Sequence, residues 1–208
     1  SKGDDWPTMQ ILIPISGRTS FFPEEEFYFP KPLVEVAGQP MIELVVGRLR
    51  ADFPDADFIF VVDIEDARRF SLDRVVKHAA GPNATVIERQ GNTSGALCSC
   101  LLAVDVIDPD RPILIVNSDQ IIDDDLATHV RRLRQARADV GVVTFDSIHP
   151  RWSYVVVEDD GTDVVQAFEK RVMSRHAIAG FYYFEKAATF LEAAQKVILK
   201  DAHTNGAF

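Results

Sequence analysis

The sequence predicts a three-layer α/β domain in which helices cover both faces of a mostly parallel central sheet. Three observations lead there. Short apolar, often β-branched runs alternate with longer stretches of helical period from Met9 to about residue 145. Two of the runs, MQILIPI (9–15) after its Gln10 and the ILIV within RPILIVNSD (111–119), are continuously apolar, as strands buried on both faces are. After about residue 150 the pattern changes to strands with a hairpin signal between them, an antiparallel excursion.

Each element follows from its own residues. MQILIPI reads as a central strand, and SGRTSFFPEEEFYFPKP (16–32), with three prolines and a glycine, reads as a long loop after it. Pro40 opens a helix over 41–53 whose Ile42, Val45, Val46 and Leu49 share one face. DFIFVVD (57–63) is a strand, EDARRFSLDRVVKHA (65–79) one helix, TVIER (85–89) a strand and SGALCSCLLAVDVI (94–107) a helix. RPILIVNSD is a buried strand that stops at Asn117, Ser118 and Asp119. A helix over 124–136 and a strand over 138–145 follow. WSYVVVEDDGTDVVQAFEK (152–170) is a hairpin turning at Asp160 and Gly161, AIAGFYYFE (177–185) a strand, and AATFLEAAQKVILK (187–200) a closing helix. No internal repeat, low-complexity segment or long linker divides the chain, so 9–208 reads as a single domain with residues 1–8 as an extension.

Composition narrows the function classes. At 208 residues and 47% hydrophobic content, a core can form without disulfide or metal staples. A formal net charge of -10, from 32 acidic and 22 basic residues, repels phosphate backbones and anionic lipid, which sets nucleic acid and membranes aside as partners. Cys98 and Cys100 are too closely spaced for an ordinary bridge and would point to different faces of a helix. They read as packed thiols in a reducing cytoplasm. No apolar run approaches the roughly 18 to 20 residues of a membrane span.

The candidate site gathers at the carboxyl ends of the parallel strands, where open α/β sheets bind ligands. Ile15, Ser16 and Gly17 end the first strand, where backbone N–H groups can approach a phosphate. Gln90, Thr93 and Ser94 offer hydrogen-bonding groups for a base edge, and Gly95 permits close approach. Ser118 and Asp119 close the third buried strand; Asp119 is read as suited to a hard cation such as Mg²⁺, with an N-cap as the alternative. Asp123, Asp124 and Asp125 open a helix and receive no ligand role, because acidic residues there complement the helix dipole. His176, without partner residues, is read as structural or surface.

The long string IPISGRTSFFPEEEFYFPKPLVEVAGQPMIELVVGRL resembles the opening of sugar nucleotidyltransferases, through PKPL at Pro30 to Leu33, Val36, Gly38 and PMI at Pro40 to Ile42. NTSGA (92–96), NSD (117–119), FEK (168–170) and AIAGFYYF continue the likeness to Phe208, and the combination is similar to the subgroup found in bacterial capsule and surface-polysaccharide synthesis. The resemblance implies a Rossmann-like, GT-A-like fold and transfer of a nucleotidyl group from a nucleoside triphosphate to a phosphorylated sugar or similar acceptor. It implies Lys31 as a catalytic cation, Mg²⁺ at Asp119, and acceptor contacts from Glu169, Lys170 and Gly180, while Arg18, close by in the loop, is read as a partial substitute for the family arginine that Phe21 replaces. It also implies a homo-oligomer. The absence of a Ser/His/Asp set agrees, since an acceptor phosphate is already an anionic nucleophile and catalysis is largely positioning and charge stabilisation.

Two departures bear on activity. Aligned on Gly17, the loop carries Thr19 and Phe21 where the family carries Gly and Arg, and losing one preorganised cation costs about a hundred- to a thousandfold in rate. Members also place a second metal carboxylate beyond an NG-x-F segment; here the sequence ends at Asn205, Gly206, Ala207 and Phe208, so it is either cut short or holds its metal without that ligand. Three other readings share the scaffold. A sugar-nucleotide-dependent glycosyltransferase would carry Asp-x-Asp, which NSDQ does not supply. A non-catalytic nucleotide-binding module would fit Phe21, and a partner-binding domain with a decayed cleft would bind no triphosphate.

Overall fold

A computed structural model describes residues 7–15, 35–36, 39–91, 96–148, 154–158, 163–168 and 171–204. The first strand, β1 (Gln10–Pro14), lies at the centre of the molecule. A two-residue ladder, β2 (Glu35–Val36) against β3 (Gln39–Pro40), leads into α1 (Met41–Asp52). Then come β4 (Asp57–Asp63), α2 (Ile64–Phe70), α3 (Leu72–Ala80), β5 (Thr85–Arg89), α4 (Ala96–Leu101) and β6 (Ile113–Val116). The chain continues through α5 (Leu126–Gln135), β7 (Val140–Asp146), β8 (Tyr154–Val157), β9 (Val164–Phe168), β10 (His176–Phe184) and α6 (Ala187–Thr204).

The main sheet runs β5-β4-β1-β6-β10-β8-β9, with β7 paired to β10. It is parallel from β5 to β6 and antiparallel from β10 onward. The apolar runs are continuous because both faces of these strands are covered. Ile11 and Ile13 pack with Ile42, Val46, Leu72 and Val130 from α1, α3 and α5. Leu12, one residue out of phase, packs on the opposite face with Cys100 of α4 and with Phe190 and Ala194 of α6. Three layers result.

Two predicted helices differ from those observed. The span 65–79 is broken at Ser71, which adopts a left-handed conformation (φ 52°) between α2 and α3. In an unbroken helix Ala67 and Leu72 would lie about 140° apart around the axis. The break resets the phase, so that Ala67, Leu72 and Val76 all reach the same core. Asp63 starts α2 by accepting the N–H groups of Glu65 and Asp66 at 2.9 and 3.3 Å. The span 94–107 yields only the short α4 and a 3₁₀ turn over Val104–Val106. Leu102 and Ala103 donate to Ser99 and Cys100 three residues back, tightening the helix, and the following Val-Asp-Val is a poor helix former. The predicted hairpin is present as β8 paired antiparallel with β9; its turn at Asp160 and Gly161 lies outside the described residues.

Candidate functional site at the carboxyl edge of the sheet

Parallel pairing brings the ends of β1, β4, β5 and β6 to one edge. At the end of β1, Ile15 is buried and donates its N–H to Val61 O at 2.8 Å. The Ile15 amide is thus used within the sheet, and Ser16 and Gly17, the phosphate-facing residues expected from sequence, come after it. Those two residues lie outside the described part of the chain, as do Arg18, Phe21, Lys31, Thr93, Ser94, Gly95, Glu169 and Lys170.

At the end of β5, Gln90 is exposed and Gly91 takes a left-handed conformation (φ 69°). Sequence reading missed the residue behind this turn. Arg89 is 6% exposed, lies 3.3 Å from Asp63 at the end of β4, and donates from Nη1 to Gly91 O at 2.5 Å. It thus ties the start of the 90–95 segment to the neighbouring strand. Among the described residues its buried Nε has no partner. An arginine ending a β-strand just before Gln-Gly was the available signal.

The loop after β6 is the most fully defined part of the edge. Ser118 is buried and Asp119 partly so. Asn117 donates its backbone N–H to Gly180 O at 3.0 Å and its side-chain amide to Gln120 Oε1 at 3.3 Å. Gly180 (φ 66°) lies within β10, so the structure brings the predicted acceptor-strand glycine against the predicted metal loop. Asn117 and Gln120 were visible as polar residues closing a buried strand, but nothing in sequence pairs them with residue 180.

Beneath this edge, on the α4 and α6 face, lies a largely apolar cavity of about 340 Å³ between Pro14, Ile115, Asn117, Leu97 and Phe190. Cys100 also lines it, and burial pushes its thiol up to about 12, so it is no nucleophile at neutral pH. Cys98 and Cys100 are both free thiols. The acidic run behaves as its composition suggests: Asp125 caps α5 through Thr128 N at 3.0 Å, and Asp124 pairs with His129 at 2.7 Å. Both carboxyls are held below the usual range, Asp124 chiefly by His129 and Asp125 chiefly by Thr128. His176 is exposed at the start of β10.

Among the described residues no group of three or more His, Cys, Asp and Glu side chains is placed to hold a metal. A protein-only cage is thus not built from them. The donor set here is one partly buried carboxylate beside a ligand edge, which suits Mg²⁺ because that ion is commonly held by one or two carboxylates plus substrate phosphates. No helix among the described residues is long and apolar enough to cross a membrane.

The family model for nucleotidyl transferases matches residues 27–206. No curated protein matches the chain by sequence. Among solved structures, a nucleoside-diphosphate-sugar pyrophosphorylase from Vibrio cholerae is similar, with a TM-score of 0.74 at 24% identity over 90% of this chain and 78% of that one. A UDP-glucose pyrophosphorylase complexed with UDP-glucose aligns at TM-score 0.67 and 14% identity, over 90% of this chain and 79% of that one. A CMP:2-keto-3-deoxy-manno-octonic acid synthetase complexed with CTP aligns at TM-score 0.64 and 18% identity, over 90% and 78%. At these identities the structural likenesses establish the shared fold.

Proposed function

Because the chain belongs to the nucleotidyl transferase family, we propose that it transfers a nucleotidyl group from a nucleoside triphosphate to a sugar phosphate or related phosphorylated acceptor, releasing pyrophosphate. The observation that carries this reading is the family match across 27–206, which includes the Asp119 loop and the β10 strand it meets. The reaction needs no base. An anionic oxygen of the acceptor phosphate forms a bond to the α-phosphorus, and the bond from that phosphorus to the bridging oxygen breaks. Pyrophosphate leaves with the electron pair.

In this reading the 16–18 turn receives the phosphates through backbone amides, and Lys31 and Arg18 supply the cationic stabilisation that the departing pyrophosphate requires. Gln90, Thr93, Ser94 and Gly95 meet the base, in a segment anchored by Arg89. Asp119 would hold Mg²⁺, which when bound would neutralise charge on the phosphate oxygens. Glu169 and Lys170 contact the acceptor. A place in surface-polysaccharide precursor synthesis, in the cytoplasm where triphosphates are made, follows from the sequence resemblance.

Pyrophosphate release with Mg²⁺ tests the proposal, using CTP, UTP, dTTP, ATP and GTP against a panel of sugar 1-phosphates and other small phosphorylated acceptors. One triphosphate and one acceptor should be required together, and Lys31→Ala should lower turnover by about a hundred- to a thousandfold. Triphosphate binding without release under every pairing would replace the enzyme with a non-catalytic nucleotide module. Phe21 is the specific observation favouring that second reading, and in that case Phe21→Arg should restore turnover.

A further inference from the structure

Gly180 sits where β10 changes partners. On one side its neighbour Phe181 is in register with Val116 of β6, while on the other the pairing with β7 slips between Ile178 and Tyr182. Its φ of 66° is a conformation L side chains rarely adopt. The space beside it is filled: a methyl group there would lie 2.0 Å from Gln120 Oε1, 2.4 Å from Asn117 Nδ2 and 2.8 Å from Asn117 Cγ. Two amides that hydrogen-bond each other at 3.3 Å thus occupy the position of the missing side chain. The backbone N–H of Asn117 is tied to Gly180 O at 3.0 Å, a hydrogen bond that joins the loop to the strand beside those two amides.

This attachment brackets Ser118 and Asp119. We propose that Asn117 and Gln120 are positioning residues: by seating their paired amides on Gly180 they fix the Asp119 carboxylate relative to β10, so that the metal-triphosphate side and the acceptor side of the cleft are held in one register. The inference rests on the reading above that Asp119 serves the metal. It assigns Gly180 a role distinct from ligand contact, as the receptacle that allows the loop to dock. Such coupling matters because attack on phosphorus is sensitive to misplacement of about 1 Å, which can cost on the order of a hundredfold.

The test uses the whole chain with three substitutions. Gln120→Leu removes the amide and leaves a shorter apolar side chain, Gln120→Glu keeps an acceptor for Asn117 Nδ2, and Gly180→Ala forces the amides apart. Amide hydrogen exchange over 115–122, Mn²⁺ binding by electron paramagnetic resonance in the presence of a triphosphate, and thermal melting are read for each. In Gln120→Leu, exchange at Asn117 to Asp119 should accelerate about tenfold and half-saturation by Mn²⁺ should rise about fivefold, with the melting midpoint little changed. Gln120→Glu should return both readouts towards wild type. Unchanged exchange, or accelerated exchange with unchanged Mn²⁺ binding, overturns the proposal. If Gly180→Ala does not fold, the two Gln120 variants still decide. A wild type that binds Mn²⁺ with triphosphate but releases no pyrophosphate would defeat the transferase reading and leave the positioning claim to these two readouts. One that binds no Mn²⁺ would remove the metal role of Asp119 and overturn the proposal with it.

Discussion

At the scale of single residues, the same side-chain type takes opposite roles according to depth. Cys98 is partly exposed whereas Cys100, two residues on, is buried between α4 and the sheet. Desolvation disfavours the thiolate of Cys100, so this thiol should react with iodoacetamide at pH 8 at least about a hundredfold more slowly in the native protein than in urea. Mass spectrometry of the modified peptide measures it, and equal rates would contradict the burial. Arginines divide similarly: Arg175 pairs with Asp146 at 2.8 Å in an exposed position, a contact worth little, while the buried Arg89 organises a turn at the candidate site. Sequence distinguished neither pair, because burial of one residue depends on which distant elements cover it.

At the scale of elements, helix starts were readable where a short polar side chain could accept backbone N–H groups. Asp125 illustrates this, accepting from Thr128 N at 3.0 Å and from Thr128 Oγ1 at 2.6 Å. Its carboxyl is held below the ordinary range by those bonds, so the charged form is favoured in the folded state. The stabilisation is therefore fully present above the unfolded value near pH 3.9 and is lost as pH falls through the lower folded value. Asp125→Ala should accordingly lower the melting midpoint at pH 7, and the gap from wild type should narrow as the pH is taken progressively below the unfolded value of about 3.9. A gap independent of pH would mean that the cap is not the cause. Helix ends were less readable. The break at Ser71 is imposed by where Leu72 and Val76 must point, and the shortness of α4 by tightened turns that local propensity only suggests.

At the scale of the whole molecule, the two edges of the parallel sheet do different work. The amino edge is knitted together by contacts between residues far apart in the chain. Gln10 is 2% exposed and exchanges two hydrogen bonds with Asp108, at 2.9 and 2.7 Å, while Arg111 bonds Thr8 O at 3.1 Å and Asp57 at 2.5 Å. Gln10→Leu keeps the volume but strands both backbone groups of Asp108, so it should destabilise by about 1–3 kcal/mol. Urea denaturation would show this as a lower midpoint with an unchanged slope. A variant as stable as wild type would mean that water replaces the amide. The carboxyl edge instead leaves Asn117 and Gln120 arranged around a glycine.

Much of this was legible from the sequence alone. The continuous apolar runs determined which strands are central, since only coverage on both faces stabilises such runs, and the polar residues closing one of them located the candidate edge. The motif from Pro30 to Ile42 pointed to the chemistry, and the family match agrees with it. What only the tertiary structure decided is which of those polar residues touch. The chain separates Asn117 and Gln120 from Gly180 by some sixty residues, and their contact exists only because β10 returns antiparallel beside β6 and bulges at a glycine. Local propensity sets periodicity and caps, but register between distant strands is set by the packing of the whole core, and that register places Gly180 against the Asp119 loop.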